Sequence, residues 1–123
     1  MKLIALALFL STAAFAKTHA PLPETVMTAK TVYIVNQTGN QEASDTAYDQ
    51  FSKWGRYRVV AAKDSADILA VFTIFPSDNR YIVMQIFPQS SADAAFQATE
   101  RWQPLFNGPK TCVTDFRKRL EQK

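Results

Sequence analysis

The sequence predicts an α+β fold: a two-layer sandwich in which a mixed sheet of about five strands carries two helices on one face, in the order β-α-β-β-β-β-α. Three observations predict it. Runs rich in β-branched and aromatic residues, Thr31–Asn36, Ile68–Phe75 and Arg80–Phe87, have the length of strands. Two other stretches, Gln41–Trp54 and the one that follows Gly108, repeat their apolar residues at steps of three and four, as helices do. Finally, 123 residues with 47% hydrophobic content suffice for one core and not for two.

The chain opens with Lys2, the apolar run Leu3–Leu10 and the small-residue pattern Ala14-Phe15-Ala16. This three-part layout predicts a cleavable secretory signal over residues 1–16, cut before Lys17. The apolar run is about half the length a membrane-spanning helix requires, so no span is expected in the mature form. A lipid anchor needs a cysteine just after such a run, whereas the single cysteine is Cys112. Residues 17–30 contain prolines and threonines without a period, and are expected to form an extended leader before a single globular domain over 31–123.

Thr31–Asn36 is the first strand, and Gln37-Thr38-Gly39-Asn40 is the turn that ends it. In the helix that follows, Ala43, Ala47, Tyr48, Phe51 and Trp54 fall on one face. Asn40 suits the N-cap, Glu42 and Asp45 suit the positive end of the dipole, and Gly55 suits a left-handed C′ position. Arg56–Val60 reads as a short strand with Tyr57 and Val59 opposite its arginines. Residues 61–67 form a polar link with room for one helical turn. The unbroken apolar run Ile68–Phe75 predicts a central strand covered on both faces. Pro76–Asn79 turns the chain into an antiparallel partner, Arg80–Phe87. Over Ala94–Trp102 the composition favours helix, but the alternation of Phe96, Ala98, Glu100 and Trp102 with polar residues favours strand, which is the assignment adopted. Asn107-Gly108-Pro109 opens a last helix with proline at N1, and Cys112, Val113, Phe116 and Leu120 form its apolar face.

Recognisable chemistry is sparse. His19 is the only histidine and lies in the leader, far in sequence from Cys112, so neither a metal site nor a histidine-assisted nucleophile can be assembled by any known spacing. No catalytic, metal or cofactor-binding residue is assigned. Two carboxylate pairs have spacings that would allow acid-base work. Asp64 and Asp67 sit in a turn, where backbone capping is the ordinary role, and Asp45 and Asp49 sit on a solvated helix face. A carboxylate-dependent hydrolase or lyase built on the first pair is therefore the alternative to a non-enzymatic protein. Asn36-Gln37-Thr38 matches a glycosylation acceptor, a pattern short enough to recur by chance. The one cluster with binding character is aromatic and basic: Trp54, Arg56, Tyr57 and Arg58, with Arg101 and Trp102 later in the chain and the Arg117-Lys118-Arg119 tail. Rings beside guanidinium groups can stack on sugars or partner side chains, so a glycan- or polyanion-binding surface is a further alternative. The formal charge of +3, one less without Lys2, gives no sign of a nucleic-acid partner. An unpaired cysteine in an exported chain is expected to be a core residue.

The succession TVYIVNQTGN, a helix ending in KWGRYRVV, and SADILAVF resembles a pattern of small exported bacterial proteins of unknown function. The closing segment TCVTDFRKRLEQK resembles their last helix. The same motif order is similar to α/β modules of envelope-assembly proteins, including the curli-secretion lipoprotein and the amino-terminal domain of the Tol-Pal propeller protein. The resemblance covers about Thr31–Phe75, and its motifs are structural: Gly39, Gly55, Ala66 and Asp67 mark turns. It implies an exported, non-enzymatic interaction or accessory module of the periplasm or cell exterior, with another envelope protein as partner.

Overall fold

A computed structural model describes residues 21–122. The expected signal segment and His19 lie outside the described residues. Helix α1 (Glu24–Met27) precedes strand β1 (Thr31–Asn36), helix α2 (Gln41–Trp54) and strand β2 (Arg58–Val59). A 3-10 turn at Lys63–Ser65 leads into β3 (Ile68–Ile74), β4 (Tyr81–Pro88) and β5 (Phe96–Arg101), and helix α3 (Gly108–Glu121) closes the chain. The sheet order is β2-β1-β3-β4-β5. β1 runs parallel to β2 and β3, and the last three strands form an antiparallel meander. The α+β mixed sheet and the element order agree with the sequence-based expectation.

Period-two alternation divides the sheet into unlike faces. On one, the register aligns Ile34, Ala70, Ile86 and Phe96 in one row and Phe72, Met84 and Ala98 in the next. Helices α2 and α3 cover this face with Ala43, Ala47, Phe51, Cys112, Val113, Phe116 and Leu120, and together these residues are the core. Each helix begins on an asparagine cap. Asn40 Oδ1 accepts from Glu42 N at 2.9 Å, and Asn107 Oδ1 from Lys110 N at 3.3 Å. Gly55 ends α2 at φ 81°, a conformation that disfavours any side chain.

Four sequence expectations need correction. The segment before β1 is not simply an extended leader: α1 buries Val26 completely, and Tyr57 Oη donates to Val26 O at 3.2 Å. Apolar Leu22, Val26 and Ala29 give that stretch something to bury. The strand expected over Arg56–Val60 shrinks to Arg58–Val59, because Arg56 instead turns out to donate to Met27 O at 2.7 Å. Gly108 takes N1 and moves Pro109 to the next position. A Cβ on Gly108 would come within 2.6 Å of Ile82 Cγ2 and 2.9 Å of Trp102 Cβ, so only glycine lets α3 start this close to the sheet.

The fourth correction concerns β3, which lies in the middle of the sheet but is covered on one face only. Ile68, Ala70 and Phe72 are buried under the helices, whereas Leu69, Val71 and Thr73 on the reverse side are half-exposed. No helix crosses that reverse side among the described residues. The apolar run has a different cause from the one inferred: half of it faces the core and half forms a bare apolar surface.

Candidate functional site

The aromatic-basic cluster suggested by the sequence is divided by the fold. β1 and β5 both run from the lower to the upper end of the sheet, so Trp54, Arg56 and Arg58 lie at the lower end and Arg101 and Trp102 at the upper. Trp54 is half-buried in an aromatic cluster, 5.3 Å from Tyr57 and 5.9 Å from Phe116 between ring centroids, with the Arg117 guanidinium 5.8 Å from its ring. Such packing fixes the corner where α2 meets α3. Arg58 is exposed on β2, and Arg101 sits 5.9 Å from the Tyr81 ring and 4.8 Å from Phe106.

The carboxylates are also occupied. Asp67 Oδ2 accepts from Lys30 N at 2.9 Å and Thr31 N at 3.3 Å, and Thr31 Oγ1 in turn accepts from Asp67 N at 2.9 Å. This reciprocal link fastens the start of β1 to the start of β3. The Lys30 amide, above all, holds the Asp67 carboxyl below its ordinary range, which opposes a proton-carrying role. Asp64 and Asp67 border a cleft of about 450 Å³ with Thr25, Thr28 and Gln89, and neither Arg56 nor Arg58 reaches it. Asp45 accepts from Gln41 at 3.1 Å and Asp49 pairs with Lys53 at 3.2 Å, both on the exposed side of α2. Among the described residues, no three potential metal ligands cluster. Asn36, the glycosylation candidate, uses its amide nitrogen on Asn40 O at 2.8 Å and its oxygen on Thr38 Oγ1 at 2.6 Å.

A carboxyl pair missed at the sequence level joins β5 to α3. Glu100 faces Asp115, and their shared hydrogen bond, aided by burial and mutual repulsion, pushes Glu100 up to about 7. Beside them Cys112 is buried, its thiol 3.8 Å from Ala98 O. Burial first, then the two carboxylates, raises its ionisation far above the ordinary thiol range, so it stays protonated. Period-two alternation in β5 and period 3.6 in α3 put these residues at one interface. Only the pairing of the two elements, which sequence spacing does not give, could have revealed it.

The most extensive unpartnered feature is the bare sheet face. The register sets Leu69 between Tyr33 and Phe87, Val35 beside Val71, and Val83 between Thr73 and Thr99. Val83 is the best shielded of these. Toward the β5 edge the face becomes polar, with Gln85 donating to Gln97 at 3.0 Å and with Thr99 and Arg101 exposed. The apolar part spans three strands, β1, β3 and β4, which about 4.8 Å apart and about six residues long give a footprint of roughly 300 Å². Contiguous apolar patches of that size on soluble proteins commonly mark interaction sites. No described helix is long and apolar enough to cross a membrane.

No family model matches the chain, and no curated protein matches it. Among solved structures, a dodecameric PelC variant from Paraburkholderia phytofirmans is similar over 87% of this chain and 95% of that one, at 12% identity and a TM-score of 0.51. An uncharacterized lipoprotein B from Nitrosomonas europaea is similar over 85% of this chain and 82% of its own, at 13% identity and a TM-score of 0.39. At this level of identity, the first likeness is one of fold.

Proposed function

We propose that the chain is an exported, envelope-associated accessory module without catalytic activity, and that it works as a subunit of a homo-oligomer. One observation carries the reading: the apolar reverse face of the sheet, where Tyr33, Val35, Leu69, Val71 and Phe87 meet with no helix above them among the described residues. A second copy is the occupant favoured, because the PelC variant that shares the fold is a dodecamer. The signal pattern over residues 1–16 and the resemblance to envelope-assembly modules support the location.

The test expresses the chain from its own start and recovers it from the periplasm. Native mass spectrometry is then expected to give a multiple of the protomer mass. Val71→Lys, which places a charge in the middle of the bare face while leaving the buried face intact, is expected to yield monomers with an unchanged circular dichroism spectrum. A wild-type protein that stays monomeric, or a Val71→Lys protein that stays assembled, refutes the reading.

A further inference from the structure

A cleft of about 540 Å³ opens at the upper end of the sheet, between the β1–α2 loop, the β3–β4 turn and the β5–α3 loop. Its volume lies in the range of small-ligand sites. Trp102 and Phe106 supply aromatic surface. Trp102 is pinned by its backbone amide, which donates to Arg80 O at 2.7 Å, and by the close approach of Gly108. Phe106 is 46% exposed, yet its position is fixed. Its backbone exchanges hydrogen bonds with Gln103 at 2.8 and 3.1 Å, and the Arg101 guanidinium stacks 4.8 Å from its ring. The tight loop thus presents a ring to solvent at little cost in lost freedom on binding.

Around the rings stand unused amides. Asn40 and Asn107 spend their oxygens on the helix caps, which leaves both NH₂ groups without an acceptor among the described residues. The side chains of Asn79 and Gln103 make no hydrogen bond within the described residues. Amides of this kind both donate and accept. Among the described residues the lining contains one carboxylate, Glu42, and no lysine or arginine. An anion would meet that carboxylate, and the guanidinium at the edge of the cleft, Arg101, is already engaged on the Phe106 ring. Aromatic faces that attract polarised C–H bonds, together with neutral donors and acceptors, match a neutral ligand whose one side is C–H and whose rim is hydroxyl.

We infer that this cleft binds a neutral saccharide, with a sugar ring against Phe106 and Trp102 and its hydroxyls on Asn40, Asn79, Gln103 and Asn107. The site keeps only Arg101 and Trp102 of the aromatic-basic cluster, and Arg101 acts on it by holding Phe106.

The experiment titrates the periplasmic protein calorimetrically with cellohexaose, maltohexaose, mannohexaose and chitohexaose, and with heparin as the polyanion. At least one neutral oligosaccharide is expected to bind with a Kd between about 10 μM and 1 mM. Phe106→Ala should weaken it about tenfold. Asn107→Asp keeps the helix cap but replaces the amide donor by a carboxylate, and it should weaken binding comparably while the melting temperature is held. Leu105→Ala, 91% exposed and outside the lining, should bind as wild type. Binding by none of the neutral oligosaccharides, binding of heparin alone, or neutral binding that survives both Phe106→Ala and Asn107→Asp overturns the inference.

Discussion

Replacing Glu100 by glutamine should remove a pH dependence that the fold builds into its own stability. In the folded protein the hydrogen bond with Asp115, then burial and repulsion, push Glu100 up to about 7 from an ordinary value of 4.5. A carboxyl raised in this way is protonated in the folded chain and ionised in the unfolded one between those two values. Unfolding there releases a proton, so stability falls as pH rises from about 4.5 to about 7 and is level above it. The full difference would correspond to roughly 3 kcal/mol. Glu100 retains access to solvent at the edge of β5, and screening reduces the expected effect to about 1 kcal/mol. Glutamine keeps a donor toward Asp115 and carries no titrating proton. Thermal melts across about pH 4.5 to 8.5 should therefore show the two proteins equal at the acid end, with Glu100→Gln higher by roughly 4 °C at the alkaline end. Because the proton belongs to the pair, Asp115→Asn should flatten the wild-type slope as well. Parallel wild-type and Glu100→Gln curves over the whole range would refute the reasoning.

Two further outcomes follow from the buried and fastened groups. Asp67→Ala leaves the Lys30 and Thr31 amides without their acceptor and should cost about 1–2 kcal/mol by urea denaturation at neutral pH. Since the Asp67 carboxyl is held below its ordinary value of 3.8, wild type should lose this advantage only as pH falls through that acid region, where the two curves converge. Cys112, buried and kept protonated, should resist a disulfide reagent at about pH 8 in the native protein and react fully in denaturant; prompt stoichiometric labelling without denaturant would contradict the packing.

Local signals made the fold legible wherever one residue had one task. The Asn40 cap, the left-handed Gly55 and the buried stripe Cys112-Val113-Phe116-Leu120 all stand where capping, backbone and periodicity rules put them. Reading β5 as a strand succeeded because Phe96, Ala98 and Glu100 do alternate inward, whatever the helical propensity of alanine and glutamate. The candidate site was less legible, since it depends on which segments meet. Trp54-Gly55-Arg56 and Arg101-Trp102 look alike in sequence, but strand direction sends them to opposite ends of the sheet. The cleft draws on three loops separated by tens of residues, and each of its asparagines was explicable alone as a cap or turn residue. The apolar run of β3 misled for a related reason: hydrophobicity on both sides of a strand records burial or a bare face with the same letters.

The composition of the bare face narrows where a second copy would sit. A strand facing water tolerates polar residues at little cost, and β5 has them: Gln97, Thr99 and Arg101 all point to the reverse side. The same chain, on the same face, keeps Tyr33 and Val35 on β1, Leu69 and Val71 on β3, and Phe87 on β4. Lack of a covering layer therefore does not by itself account for the apolar side chains, since it applies equally to β5. The contact should lie over β1, β3 and β4 and stop short of the sheet edge. Thr99→Lys and Val71→Lys introduce the same charge on the same face, on opposite sides of that boundary. Native mass spectrometry should find Thr99→Lys assembled and Val71→Lys dissociated. If the two behave alike, the apolar patch does not set the contact.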